Sequence, residues 1–232
     1  MHHETLILYG PVNALLGRFG LYLPDHVIMA LLVLLVSLIV FPLLTRNLSK
    51  DDPGPIQQML ELLVEGLKGL LEDIVGHGAA NKFLYIIGAY TVFIFLSNIF
   101  GLFYFLQPPT GNINTTVALA ISAFLYYNWQ GIRAQGPGHY AMHFMGPVWW
   151  LAIIMFPIEL IGHFARILSL GMRLFGNITG EHTATGIFMG MFPLVLPWAM
   201  MALGIFGAVL QTFVFIMLTM VYIGGAVTAE EH

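Results

Sequence analysis

The sequence predicts an all-α integral membrane protein with about five membrane helices and one amphipathic surface helix. Three observations carry that expectation. Of 232 residues, 58% are hydrophobic and only 9% are Asp, Glu, Lys or Arg, whereas a soluble domain spends about a quarter of its residues on charge. The charges are also missing altogether from residues 27–45, 83–132, 134–158 and 182–229. Each tract is close to or beyond the roughly 20 apolar residues that cross about 30 Å of hydrocarbon, and two are long enough for a pair of crossings. Residues 55–75, by contrast, alternate apolar and charged positions at helical spacing.

Residues 1–25 read as an outer N-terminal segment. They have short apolar runs but no basic start leading into a continuous apolar core, so no cleavable signal peptide is expected. His2 and His3 are too few to be a purification tag. The first span, 26–46, is dense in Leu, Val and Ile and closes on Arg46, Asn47 and Lys50. Basic residues beside a span favour the cytoplasmic side, which puts the N-terminus outside. The surface helix, 53–77, has apolar residues at 56, 59, 60, 63, 67, 70, 71 and 74, with charges at 61, 65, 68 and 72. Its net acidic face, from Glu61, Glu65, Lys68, Glu72 and Asp73, suits a protein neighbour better than lipid headgroups.

A helical hairpin is expected over 82–132. Lys82 opens it on the cytoplasmic side, and 83–105 is apolar enough to span. Gln107, Pro108, Pro109, Thr110, Gly111 and Asn112 form an outer turn, and a second crossing over 114–131 returns to Arg133. The loop that follows, with His139 and His143, is placed in the cytoplasm, and Trp149 and Trp150 suit the membrane interface. A long hairpin, 148–229, then has helical character from Pro157 to about Gly190, a break at Pro193 and Pro197, and a second run over 198–229. At about 1.5 Å per residue each run is near 45–50 Å, longer than the hydrocarbon is thick, so both are expected to be strongly tilted. The whole is expected to be a single membrane domain without internal repeat, its C-terminus cytoplasmic.

Composition also excludes functions. With no cysteine there is no disulfide framework, thiolate metal site, iron–sulfur cluster or cysteine nucleophile. A net charge of −4 with eight scattered basic residues makes no nucleic-acid patch. His139 and His143 have i, i+4 spacing but no third ligand nearby, so no metal is expected, and no cofactor either.

Ionisable groups inside membrane helices cost about 2.5–3.5 kcal/mol for Arg at a helix centre and are functional candidates. Glu159, His163, Arg166, Leu170, Arg173 and Asn177 are spaced 4, 3, 4, 3 and 4 apart and project as one stripe. Gly162, Ser169, Gly171 and Gly176 beside it thin the helix for close approach by another. The last run adds Gln211 with Gly204, Gly207, Gly224 and Gly225. One reading is a buried ion-pair network that locks a bundle. Against it, the only other Asp or Glu between residues 74 and 229 is Glu181, so the carboxylate for Arg173 is expected on another protein. Arg stays protonated and cannot relay protons, but it favours the ionised form of a carboxylate that comes within a few Å.

The run SLGMRLFGN at 169–177 closely resembles the signature of the ATP synthase a-subunit family, the stator that faces a rotating c-ring. Further matching motifs are SNIFGL at 97–102, PTGNINTT at 109–116, QTFVFIMLT at 211–219 and AEEH at 229–232. The resemblance implies a proton-translocating subunit of an F-type ATP synthase that is not itself catalytic. It would form two offset aqueous half-channels, with its long hairpin along the c-ring. Arg173 looks like the family's essential arginine, blocking direct leakage between the channels and stripping the proton from an arriving ring carboxylate. Asn177 and Gln211 match positions near that arginine and would hold its guanidinium or nearby water.

His182 matches an inlet-side position that is acidic or histidine in the family, with Glu181 one residue earlier as the alternative group or a partner. Gly204 matches a position that is sometimes histidine. Glu159 matches an outlet-side glutamate, and His163 either extends that path or is an ordinary interfacial histidine. Arg166 matches a basic position and reads as a snorkelling or ion-pair residue. Asn112, Asn114 and Thr115 would line the inlet funnel or simply cap their helix. Implied partners are the c-ring subunits, the peripheral-stalk b subunits, the rest of the complex and the lipid bilayer, in a bacterial plasma (inner) membrane. The rival is a stand-alone channel or secondary transporter, for which an internal repeat and paired broken helices would be expected.

Overall fold

Prolines, glycines and one asparagine set the helix ends of this chain. The computed structural model describes residues 22–46, 48–49, 53–102, 107–138, 140, 152–191 and 196–227, and all of the regular structure there is helical. Helix α1, Asp25–Leu44, follows Pro24 and carries Pro42 in its last turn. There the Thr45 hydroxyl donates to the Phe41 carbonyl at 2.9 Å and closes the end. Helix α2, Pro55–Val75, starts with proline at its first position, where the missing N–H costs nothing. It stops at Gly76, whose φ of 112° is open to glycine and disfavoured for other residues. Gly78, at φ 81°, then turns the chain directly into α3, Ala79–Phe100.

Beyond α3 the chain doubles back so tightly that a Cβ on Gly101 would lie 3.1 Å from the Pro108 ring. A 3-10 turn, Pro109–Gly111, occupies the expected outer turn. Asn112 then caps α4, Ile113–Gln135, by accepting from the Asn114 N–H at 2.9 Å. Helix α5, Ala152–Met191, has 40 residues, about 60 Å. It begins before Pro157, where the run was expected to start; that proline removes only the bond to the Ile153 carbonyl near the helix end. Helix α6, Leu196–Val227, has 32 residues, about 48 Å.

Four of these helices, α1, α3, α5 and α6, are long and apolar enough to cross a membrane. Helix α4, the fifth expected crossing, has the length (23 residues) but not the apolarity. Its polar residues are spent on neighbours: Thr116 and Tyr127 are fully buried, and Asn128 accepts a hydrogen bond from Tyr140 at 2.7 Å.

One core joins α2 to α6. Phe215, Met220 and Ile223 of α6 are fully buried with Leu71 of α2, Ile87 and Ile94 of α3, Leu174 of α5 and the small Ala120 and Ala123 of α4. Missing side chains allow the closest approaches. A Cβ on Gly171 would lie 3.4 Å from the Thr116 carbonyl, and one on Gly224 would lie 3.0 Å from the Ile74 carbonyl. Helix α2 buries Leu67, Leu71 and Val75 and leaves all five of its charged side chains exposed, as its amphipathic pattern requires. Helix α1 leans mainly on α3 and the 3-10 turn and exposes Leu31, Leu34, Leu35, Leu38 and Leu43. Those side chains need a lipid or protein cover.

Candidate functional site

The six-residue stripe lies on α5 as its spacing requires, but its two ends have different surroundings. Near the start of α5 the side chains are packed against α4 and α6. His163 is buried, and its Nε2 lies 3.5 Å from Glu159 Oε1, the same oxygen that Arg166 approaches at 3.5 Å. Tyr127 of α4 places its hydroxyl 3.0 Å from His163 Nδ1. The Arg166 guanidinium lies 5.5 Å from the centre of the Tyr222 ring of α6, within cation–π range. These groups border a half-open cavity of about 320 Å³. Tyr140, just beyond α4, also borders it; burial pushes its hydroxyl up to about 12, so it keeps its proton.

Further along α5, Arg173 and Asn177 face outwards. Among the described residues Arg173 forms no ion pair. Asn177 donates from Nδ2 to Oε1 of the buried Gln211 at 2.6 Å, which ties α5 to α6 beside the arginine. An open cavity of about 540 Å³ runs along this seam from Arg173 past Asn177, Gln211 and Gly207 to Glu181. The surface around Arg173 is smooth: Ala165, Ser169, Gly176 and Gly180 are exposed on the same helix. Gly176 has open space where a side chain would be.

Glu181 occupies a notch cut by glycines. A Cβ on Gly204 would overlap Glu181 Oε1 and Leu102, and one on Gly207 would lie 3.4 Å from Glu181 Oε2. Glycine at 204 therefore admits a carboxylate from the facing helix. His182 points towards Gly101 at the end of α3. Among the described residues its buried Nε2 has no hydrogen-bond partner. Gly101, Leu102, Glu181, His182 and Thr185 enclose a space of about 10 Å³, roughly one water-sized probe. A water there would satisfy the orphaned nitrogen.

The structure thus divides the expected site residues into two groups. Glu159 and His163 belong to the first cavity, together with Arg166; Arg173, Asn177, Gln211 and Glu181 belong to the second, with His182 next to it. Asn112 acts as a helix cap, and neither it nor Asn114 nor Thr115 lines either cavity at Glu181. Gly162 and Gly176 meet no neighbour, so of the small residues expected to thin α5 Gly171 is the glycine used inside the chain. His139, His143 and residues 229–232 lie outside the described residues.

Sequence reasoning missed the functional placement of Tyr127 and Tyr222. Tyr127 sits with Asn128 one to two turns before Arg133 in a charge-free tract, a weak cue. The buried Thr110 hydroxyl donates to Asn98 Oδ1 at 2.9 Å, joining the outer turn to α3 through two of the motif residues.

Residues 27–224 match the family described as ATP synthase A chain. Among similar proteins, ATP synthase subunit a of Nitratiruptor sp. is 41% identical over 92% of this chain and 96% of its own length. The Helicobacter hepaticus subunit a is also 41% identical, with the same coverage. ATP synthase subunit a 2 of Syntrophotalea carbinolica is 43% identical over 97% of this chain and 93% of its own length.

Proposed function

The chain belongs to the ATP synthase A chain family, as a membrane subunit of F-type ATP synthase, and from that premise we propose that it is the stator half of the proton path. In this reading the open face of α5 and α6 meets the rotating c-ring, and protons reach and leave the ring through two offset half-channels. The seam between Arg173 and Glu181 belongs to the outer, inlet channel, with Glu181 and His182 as its proton-binding groups. The cavity at Glu159, His163 and Arg166 belongs to the cytoplasmic outlet. The peripheral-stalk b subunits hold the chain against rotation.

One observation carries the reading: Arg173 stands on an exposed, small-residue face with no ion pair among the described residues. A permanent cation in a membrane helix is costly unless a counter-charge is supplied, so a partner chain that brings a carboxylate offsets that cost. The same cation makes the carboxylate ionise as it arrives, which releases its proton, while Arg173 itself exchanges none. Asn177 and Gln211 bond each other beside it and leave amide capacity to orient the guanidinium or water. Moving one charge through 100 mV supplies about 2.3 kcal/mol, so several protons are combined for each ATP.

Replacing Arg173 with Ala tests this. In membrane vesicles the complex is expected to assemble, detected by co-purification of its other subunits, while proton-driven ATP synthesis is abolished. Coupled synthesis by the Arg173→Ala complex would overturn the reading.

A further inference from the structure

Tyr127 is buried in α4 and belongs to none of the motifs that identify the family, yet its hydroxyl lies 3.0 Å from His163 Nδ1. We propose that Tyr127 is the positioning residue of the outlet-side histidine: its hydroxyl selects the His163 tautomer that presents N–H to Glu159. The inference rests on the reading of the Glu159 cavity as the cytoplasmic outlet.

Two contacts favour one arrangement for neutral His163, Glu159 Oε1 at 3.5 Å from Nε2 and the Tyr127 hydroxyl at 3.0 Å from Nδ1. An ionised Glu159, with Arg166 at the same oxygen, can only accept, so the imidazole nitrogen facing it, Nε2, carries the hydrogen. Nδ1 is then a bare acceptor, and the Tyr127 hydroxyl at 3.0 Å donates to it. A phenylalanine at 127 would leave Nδ1 without that donor, and the preference for the Nε2–H tautomer would weaken. When His163 takes a second proton at Nδ1, the same hydroxyl turns to accept from it, because a phenol oxygen does both. The positively charged ring thereby keeps its partner.

Orientation is fixed as well. The Tyr127 ring stacks on the imidazole with centroids 6.0 Å apart and planes 27° apart, and Phe124 packs edge-on at 5.7 Å. The charged and titratable groups around His163 are Tyr127 of α4, Glu159 and Arg166 of α5, Tyr222 of α6 and Tyr140 beyond α4. Of these, Tyr127 lies within hydrogen-bonding distance of Nδ1.

Tyr127→Phe keeps the ring and its stacking while removing the hydroxyl and with it the hydrogen bond to His163, and the His163→Gln background separates that bond from the hydroxyl's contacts with Arg166 and Asn128. ATP-driven proton pumping is measured across a range of pH in inverted vesicles containing the whole synthase, with complex content checked by subunit co-purification. The expected result is a severalfold slower rate and a pH profile displaced by about half a unit or more, the scale set by losing one charge-assisted hydrogen bond. In a His163→Gln background, Tyr127→Phe is expected to add nothing further. A Tyr127→Phe profile that coincides with that of the parent, or an equal added loss in the His163→Gln background, overturns the proposal. Glu159→Gln separates the two levels: if it leaves pumping untouched, the outlet does not pass this cavity and the underlying reading falls with the inference. If Glu159→Gln slows pumping while Tyr127→Phe does not shift the profile, only the inference falls.

Discussion

Two arginines on one helix, Arg166 and Arg173, sit seven residues apart and almost in line, yet the chain treats them in opposite ways. Arg166 has a carboxylate at 3.5 Å and an aromatic face at 5.5 Å, both supplied by this chain. Arg173 has an amide pair beside it and open space before it. A membrane protein must balance each buried charge or leave it where another molecule will. The first arginine is therefore balanced within the subunit, and the second, on the proposed reading, is left for a partner. The contrast extends to the acids. Glu159 is shared by His163 and Arg166, whereas Glu181 has no cation paired with it among the described residues and is held in place by the shape of the glycine notch.

After the loss expected of Arg173→Ala, the notch gives the next largest effect. Gly204→Ala puts a methyl group where Glu181 Oε1 now lies, and a flexible carboxylate end moves aside more readily than backbone does. The complex is therefore expected to assemble normally while proton-driven ATP synthesis falls at least about tenfold, roughly 1.4 kcal/mol in the rate-limiting step. Synthesis at the parent rate would show that the position of Glu181 is immaterial. A much smaller effect is expected at the partnered end. Arg166→Ala removes one long, partly exposed ion pair, so the stability of the detergent-solubilised complex should change by about 1 kcal/mol or less. Thermal denaturation measures this. A collapse of assembly on Arg166→Ala would mean that the first cluster is a structural lock and not a set of accessible groups.

How much of this was legible in the sequence differs between fold and site. Charge-free tracts and the turn residues Gln107 to Asn112 marked elements and their ends, because helix termination and membrane residence depend on local chemistry. The 4, 3, 4, 3, 4 spacing gave the face of α5 shared by Glu159 through Asn177. It could not tell what lies opposite each residue, since periodicity describes one helix and burial depends on its neighbours. That is why His163 is buried beside Tyr127 while Arg173, on the same stripe, is exposed. The start of α5 was misplaced for a related reason: Pro157 forbids one hydrogen bond, and a long helix with most of its bonds intact absorbs that loss. The polarity of α4 was underestimated because its Asn, Thr and Tyr residues carry no formal charge, although Thr116 and Tyr127 are buried against other helices.

The central claim is that the face around Arg173 is completed by a ring subunit. The chain has no cysteine, so a single Ser169→Cys places one thiol on that face, and Leu38→Cys places one on the exposed side of α1 as a control. With a short thiol-reactive cross-linker applied to the intact synthase in membranes, Ser169→Cys is expected to yield a product with the small two-helix ring subunit and Leu38→Cys none. A ring product from Leu38→Cys, with none from Ser169→Cys, would contradict the account.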